Sequence, residues 1–262
     1  MGGRALLLLA AWLAVQAAGA APAPGGEELG DLESQADYAF YTGDARLATR
    51  LLAASGAYAE AADPRAGYQY AHAAFRRLQL ATHDADRHAA GLAGEACLTA
   101  LDAVIARAPR DAEAYALKAA CGGYLALEGG LRARTLALHI DDWLQRAASL
   151  APQNPRVLLV RGFVTWYRSD APPERVARAR VDFDAAAASL ERPRGELAGE
   201  PSWGAPDAWL YAGRAAAAAG DLGAARSAYE HALLIAPEFG AARRALDGLA
   251  AGRGPAAADI IR

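Results

Sequence analysis

Runs of alanine and leucine, broken by short groups of Gly, Asp and Pro, set the pattern of apolar and polar positions along most of this chain. The pattern is sharpest near the carboxyl end. There Asp207 to Ala219 and Ala224 to Ile235 are alanine-rich stretches joined by Gly220-Asp221-Leu222-Gly223. Runs of this length around a tight polar break predict two helices and a turn. Pro237, directly after Ala236, stops the second helix and opens the next unit.

Applied upstream, the same reading predicts four more hairpins. Asp31 to Ala62 turns at Gly43-Asp44 and carries Ala48 and Leu52 on its second helix. Pro64 to Pro109 has Tyr68 and Phe75 on its first helix and Leu98, Leu101 and Ile105 on its second. Asp111 to Pro152 turns near Gly129-Gly130, and Asn154 to Leu190 sets Gly162 against Ala179, Phe183 and Ala186. The stretch Glu191 to Ala205, with Pro193 and Pro201, predicts a long connection that lets the last hairpin sit slightly apart. A helix over Glu238 to Ala250, bearing Arg243, Arg244 and Asp247, reads as a polar cap, and residues 251–262 as a fraying tail.

The last hairpin resembles the tetratricopeptide repeat (TPR) family. Trp209, Gly213, Gly220, Ala225, Tyr229, Ala232 and Pro237 stand at the spacings of that family's signature, while Ala216 and Ala212 replace its tyrosine and leucine. The resemblance implies an all-α protein, an α-solenoid of about five TPR-like hairpins over 30–250 with its best repeat at 206–237 and a C-terminal capping helix. Beyond the first, the upstream units exceed the family's ~34-residue period, and all would be degenerate copies. An ordinary helical bundle with alanines at such spacings is the alternative.

The family's first helices line a concave groove that takes extended peptides or partner helices. Carried over by position, the groove would show Tyr41, Arg76, Arg77, Tyr124, Arg156, Phe163, Tyr167 and Arg214, with Asp37, Gln69, Glu113 and Asp207 among them. Aromatic and arginine side chains suit protein recognition. The competing reading makes Phe163, Trp166 and Tyr167 core residues and leaves the arginines as solubilising charge.

Composition agrees with helix: alanine dominates and β-branched residues are scarce in a chain that is 54% hydrophobic. A net charge of -3 with interspersed signs argues against a nucleic-acid surface. Lys118 is the only lysine among 27 basic residues, which reads as GC-rich coding in a bacterium.

Residues 1–20 run from Arg4 through the apolar stretch Ala5 to Val15 to Ala18-Gly19-Ala20, the charge, apolar and small-residue order of a signal peptide. Cleavage after Ala20 would leave 21–29 as a flexible linker and deliver a periplasmic or secreted protein. With no second long apolar stretch expected, no membrane insertion follows cleavage. An uncleaved anchor is the rival.

Cys97 and Cys121 each lie twelve residues from Pro109. Antiparallel helices joined there put both ~18 Å from the turn, at the same height. In an oxidising compartment they read as a disulfide, with two buried thiols as the alternative.

No Walker loop, GxSxG, HExxH or CxxC organises a reaction centre, so neither an enzyme nor a cofactor is expected. His83, Asp84, Asp86 and His88 could hold a divalent cation, but read better as a solvated helix start capped by Asp84 or Asp86. The expected function is a non-enzymatic envelope scaffold that binds a protein or peptide partner. A small-ligand-binding subunit associated with a transporter is the alternative, and a closed pocket lined by convergent polar groups would favour it. Homo-oligomerisation through an end hairpin stays open.

Overall fold

In the computed structural model, residues 24–127, 130–168, 173–191 and 201–252 are described. The signal peptide expected at 1–20 lies outside them, as does most of the expected tail. Among the described residues eleven α-helices follow one another in chain order: α1 (Gly26–Thr42), α2 (Ala45–Ala54), α3 (Pro64–His83), α4 (Arg87–Arg107), α5 (Ala112–Leu127), α6 (Gly130–Leu150), α7 (Pro155–Tyr167), α8 (Pro173–Leu190), α9 (Ala205–Ala218), α10 (Leu222–Ile235) and α11 (Gly240–Ala250). A short 3-10 turn, Gly56–Glu60, separates α2 from α3. There is no strand among the described residues. Helices pack in adjacent pairs, α3 with α4, α5 with α6, α7 with α8 and α9 with α10. α1 begins at Gly26, so the flexible lead-in expected through residue 29 is helical from there on.

The pairing follows from turn chemistry. At three turns the chain reads Ala-x-x-x-x-Asp, and the Asp amide donates back to the alanine carbonyl: Asp44 to Ala39 at 2.8 Å, Asp86 to Ala81 at 2.9 Å, Asp221 to Ala216 at 2.9 Å. Each Asp side chain then caps the next helix, accepting from Leu47, Ala89 and Ala224 respectively. The residue before each Asp is left-handed: Gly43 at φ 76°, Ala85 at φ 57° and Gly220 at φ 80°. Such a linkage satisfies carbonyls at one helix end and amides at the next start. Pro64, Pro155 and Pro206 open α3, α7 and α9, where a missing amide costs nothing.

Close helix contacts rest on glycine. A Cβ at Gly213 would sit 2.4 Å from the Tyr229 ring, one at Gly162 2.4 Å from Phe183, and one at Gly94 2.4 Å from Leu125. Trp209, from the same signature, stacks on His231 at 4.5 Å and donates to Glu191 at 2.8 Å. The Cys97–Cys121 disulfide joins α4 to α5 with a Cα separation of 6.5 Å.

One expectation needs correcting. α4 is long and apolar enough by composition to cross a membrane, with a mean hydropathy of 1.5 over its best window. Glu95 and Asp102 interrupt its apolar run in the sequence but do not lower the average below that level. In the fold α4 packs against α3 and α5 and carries the disulfide.

The array closes on itself. Phe40 and Tyr41 at the end of α1 meet Phe239, just ahead of α11, with ring centres 5.9 and 4.4 Å apart. The inward faces of α1, α3, α5, α7 and α9 thus enclose a common interior.

Candidate functional site

Helical spacing selects what faces that interior. Residues three, four and seven apart share a helix face, so α9 presents Asp207, Tyr211 and Arg214 together, and α3 presents His72, Arg76, Gln79 and His83.

Arg76 is the centre of the arrangement and is fully buried. Its Nη1 and Nη2 donate to the two carboxylate oxygens of Asp207 at 2.8 and 2.9 Å, and its Nε donates to Asp37 at 2.6 Å. Gln79 accepts from Nη1 at 2.9 Å, and the Tyr41 hydroxyl donates to Asp207 at 2.9 Å. Phe40 lies under the guanidinium, 4.5 Å from it. Two carboxylates and an amide oxygen satisfy the fork and offset its desolvation. Burial pushes the Asp37 carboxyl up, but Arg76 and His72 beside it prevail and hold it below the ordinary range. For Arg76, burial opposes the charge and Asp207 and Asp37 outweigh it, so its pKa is raised. Burial, followed by the Asp207 and Asp37 charges, pushes the Tyr41 phenol well up.

The second feature is a plug. At the end of the long connection Trp203 and Gly204 enter the interior and are buried, while Ser202 stays exposed. The Trp203 indole Nε1 donates to the Tyr68 hydroxyl at 3.0 Å, and its ring stacks on His72 at 5.2 Å. Arg156 Nε donates to the Trp203 carbonyl at 3.1 Å while its Nη1 donates to Glu113 at 2.9 Å. The Ser202 amide donates to Glu33 at 2.7 Å. The connection expected to let the last hairpin sit apart instead pins it to α1, α3 and α7.

Where α1, α3, α5, α7, α9 and α11 converge, a cavity of about 150 Å³ remains. Its polar wall is Gln79, Tyr124, Tyr167, Tyr211 and Arg214, and its apolar wall is Leu80, Leu127, Leu210 and Phe239. Gln79 Nε2 donates to the Tyr124 hydroxyl at 3.1 Å, and the Tyr167 and Tyr211 hydroxyls are hydrogen-bonded to each other. Burial pushes Tyr124 and Tyr167 well up, so both hydroxyls stay protonated. The exposed side chains of Thr42, His83 and Arg244 stand at the mouth. Arg214, half-buried, has its guanidinium 5.0 Å from the Tyr211 ring. It makes no hydrogen bond or ion pair to any described residue.

An open groove does not describe this interior. Of the residues expected to line one, Tyr41, Arg76, Arg156 and Phe163 are buried, held by Asp207, Asp37, Glu113 and the Tyr211 ring. Arg77 points away from the interior and donates to Thr49 on α2 at 2.8 Å. Tyr124, Tyr167 and Arg214 do come together, around the cavity. Phe163 and Trp166 belong to the core, as the competing sequence reading had it. Trp203, Gln79 and Tyr211 were missed. A lone tryptophan in a Pro- and Gly-rich connection was the one available signal for the plug.

Other candidate chemistry resolves into structure. Asp86 caps α4, accepting from Ala89 at 3.0 Å, and His83 lies 3.1 Å from Asp84 on the surface. No protein-family model matches the sequence, and neither does any curated protein at a significant level.

Proposed function

We propose that this chain is an exported helical-repeat protein that binds a small molecule in the interior cavity lined by Tyr124, Tyr167, Tyr211 and Arg214. The observation that carries the reading is a cavity of about 150 Å³ in the interior, onto which polar groups converge from α3, α5, α7 and α9. Concave, partly apolar sites with a few placed polar groups are the usual form of small-molecule sites. An extended peptide finds less support, because four of the residues that would grip it are buried in pairs of their own.

The signature residues of the last hairpin and the recurrent Ala-x-x-x-x-Asp turn support a TPR-like solenoid as the ancestry of the fold. The disulfide and the apolar leader at 1–20 support export into an oxidising compartment, the periplasm or the medium. A binding subunit that serves a transporter fits these features together.

The test is to purify the protein from its own envelope fraction, denature it, and identify released small molecules by mass spectrometry. A stoichiometric species that raises the melting temperature when added back is expected. Protein that releases nothing, and whose melting temperature no compound of a broad metabolite panel moves, would overturn the reading.

A further inference from the structure

We propose that the ligand is a small organic carboxylate with an apolar body, its carboxylate held by Arg214 and the hydroxyls around it. The proposal rests on the small-molecule reading above and specifies the chemistry of that site.

Three arginines face the interior, and two are fully matched. Arg76 is shared by Asp37 and Asp207, and Arg156 by Glu113 and the Trp203 carbonyl. Arg214 alone of the three has no carboxylate partner among the described residues, and its guanidinium rests on the Tyr211 ring. A half-buried guanidinium loses part of its solvation, which an anionic or strongly accepting ligand group restores. Its always-charged planar fork matches a carboxylate in two parallel hydrogen bonds.

The rest of the wall agrees. The one acidic residue in the lining is Asp207, whose two oxygens are both engaged by Arg76, so it offers no site for a cationic ligand. Tyr124 and Tyr167 bring protonated hydroxyls, donors to an anion, and Arg244 at the mouth adds a second positive charge on the approach. Leu80, Leu127, Leu210 and Phe239 offer the rest of the ligand an apolar surface, which suits a hydrocarbon body. In size the cavity compares with one of ~150 Å³ that accepts benzene, so the body is a single ring or a branched chain of about six heavy atoms. A dianion such as phosphate would set its second charge against that apolar wall.

The experiment titrates the purified, disulfide-intact protein by calorimetry with benzoate and phenylacetate, with benzamide as the neutral isostere, and with inorganic phosphate. It is repeated with Arg214→Gln, Arg214→Lys and Tyr167→Phe, each checked for native helix content and melting temperature. The carboxylates are expected to bind about 10- to 100-fold more tightly than benzamide, a preference that Arg214→Gln abolishes and Arg214→Lys partly keeps. Equal binding of benzoate and benzamide, preferential binding of phosphate, or an anion preference that survives in Arg214→Gln overturns the carboxylate proposal and leaves the small-molecule reading standing. No binding by any probe, in a protein that also releases no small molecule on denaturation, overturns both. A neutral released molecule with no binding of the carboxylates overturns only this one.

Discussion

Arg76 on α3 and Asp207 on α9 are 131 residues apart and share two hydrogen bonds of 2.8 and 2.9 Å in the buried interior. With the Tyr41 hydroxyl on the same carboxylate, the contact ties the first two hairpins to the last. It is what turns a linear array of hairpins into a closed one.

Arg76→Glu would put a third carboxylate against Asp37 and Asp207 in place of the guanidinium that pairs with both. The exchange should cost more than the 3–5 kcal/mol typical of breaking a buried pair and leave little folded protein. Arg77→Glu, at a half-buried side chain that donates to Thr49 outside the interior, should cost less, about 1 kcal/mol. Urea denaturation of the two single variants checks both outcomes. Similar losses from both would show that the buried network does not hold the array closed.

Asp37 sets an acid limit. Its folded pKa lies below the ordinary value of 3.8, so the unfolded chain takes up a proton first as pH falls. The stability it contributes is complete above that value and is lost as pH falls through the lower folded pKa. The variant Asp37→Asn should be less stable at neutral pH and show a shallower decline below about pH 4. Stability curves of the two proteins measured from pH 7 to pH 2 decide it; parallel acid limbs would exclude Asp37 as their source.

The Cys97–Cys121 bond closes a loop of sequence separation 24 between two packed helices. Loop closure of this length stabilises by about 3 kcal/mol. Reduction, or the double exchange Cys97→Ala with Cys121→Ala, should lower the denaturant midpoint accordingly without loss of helix content. An unchanged midpoint would show that packing of α4 on α5 alone supplies the stability.

Trp203 holds the plug. Trp203→Ala removes its stack on His72 and its hydrogen bond to Tyr68, and should cost about 3–5 kcal/mol. Hydrogen exchange should rise first in 201–204 and at the inward faces of α1 and α3. Exchange confined to the variant's own segment would separate the plug from ring closure.

Ala85 occupies the left-handed position that Gly43 and Gly220 hold in the two related turns. Ala85→Gly relieves a backbone cost of ~1 kcal/mol, part of which returns as unfolded-state entropy. A rise in melting temperature is expected, and a fall would mean the alanine methyl is worth more than the strain.

How far the interior could be read in advance differs residue by residue. The Asp207, Tyr211 and Arg214 face of α9 was implicit in helical spacing, and Arg76, Tyr124, Tyr167 and Arg214 were all placed inward. Which of them would be consumed by each other was not, because pairing Arg76 with Asp207 requires the first and last hairpins to meet. A positional carry-over from an open array cannot contain that contact. The plug was misread for a related reason: Pro- and Gly-rich composition signals a chain that leaves regular structure, and does not say where it goes.

The sequence by itself determined the helices, their pairing through Asp caps and left-handed turns, and the cysteine partnership, since all depend on interactions within or between adjacent elements. Tertiary structure alone decided that the array closes, that Trp203 fills its interior, and that Arg214 faces a cavity while Arg76 is sealed in a network. Those outcomes turn on contacts between residues more than a hundred positions apart, whose geometry accumulates from every helix-to-helix angle along the way.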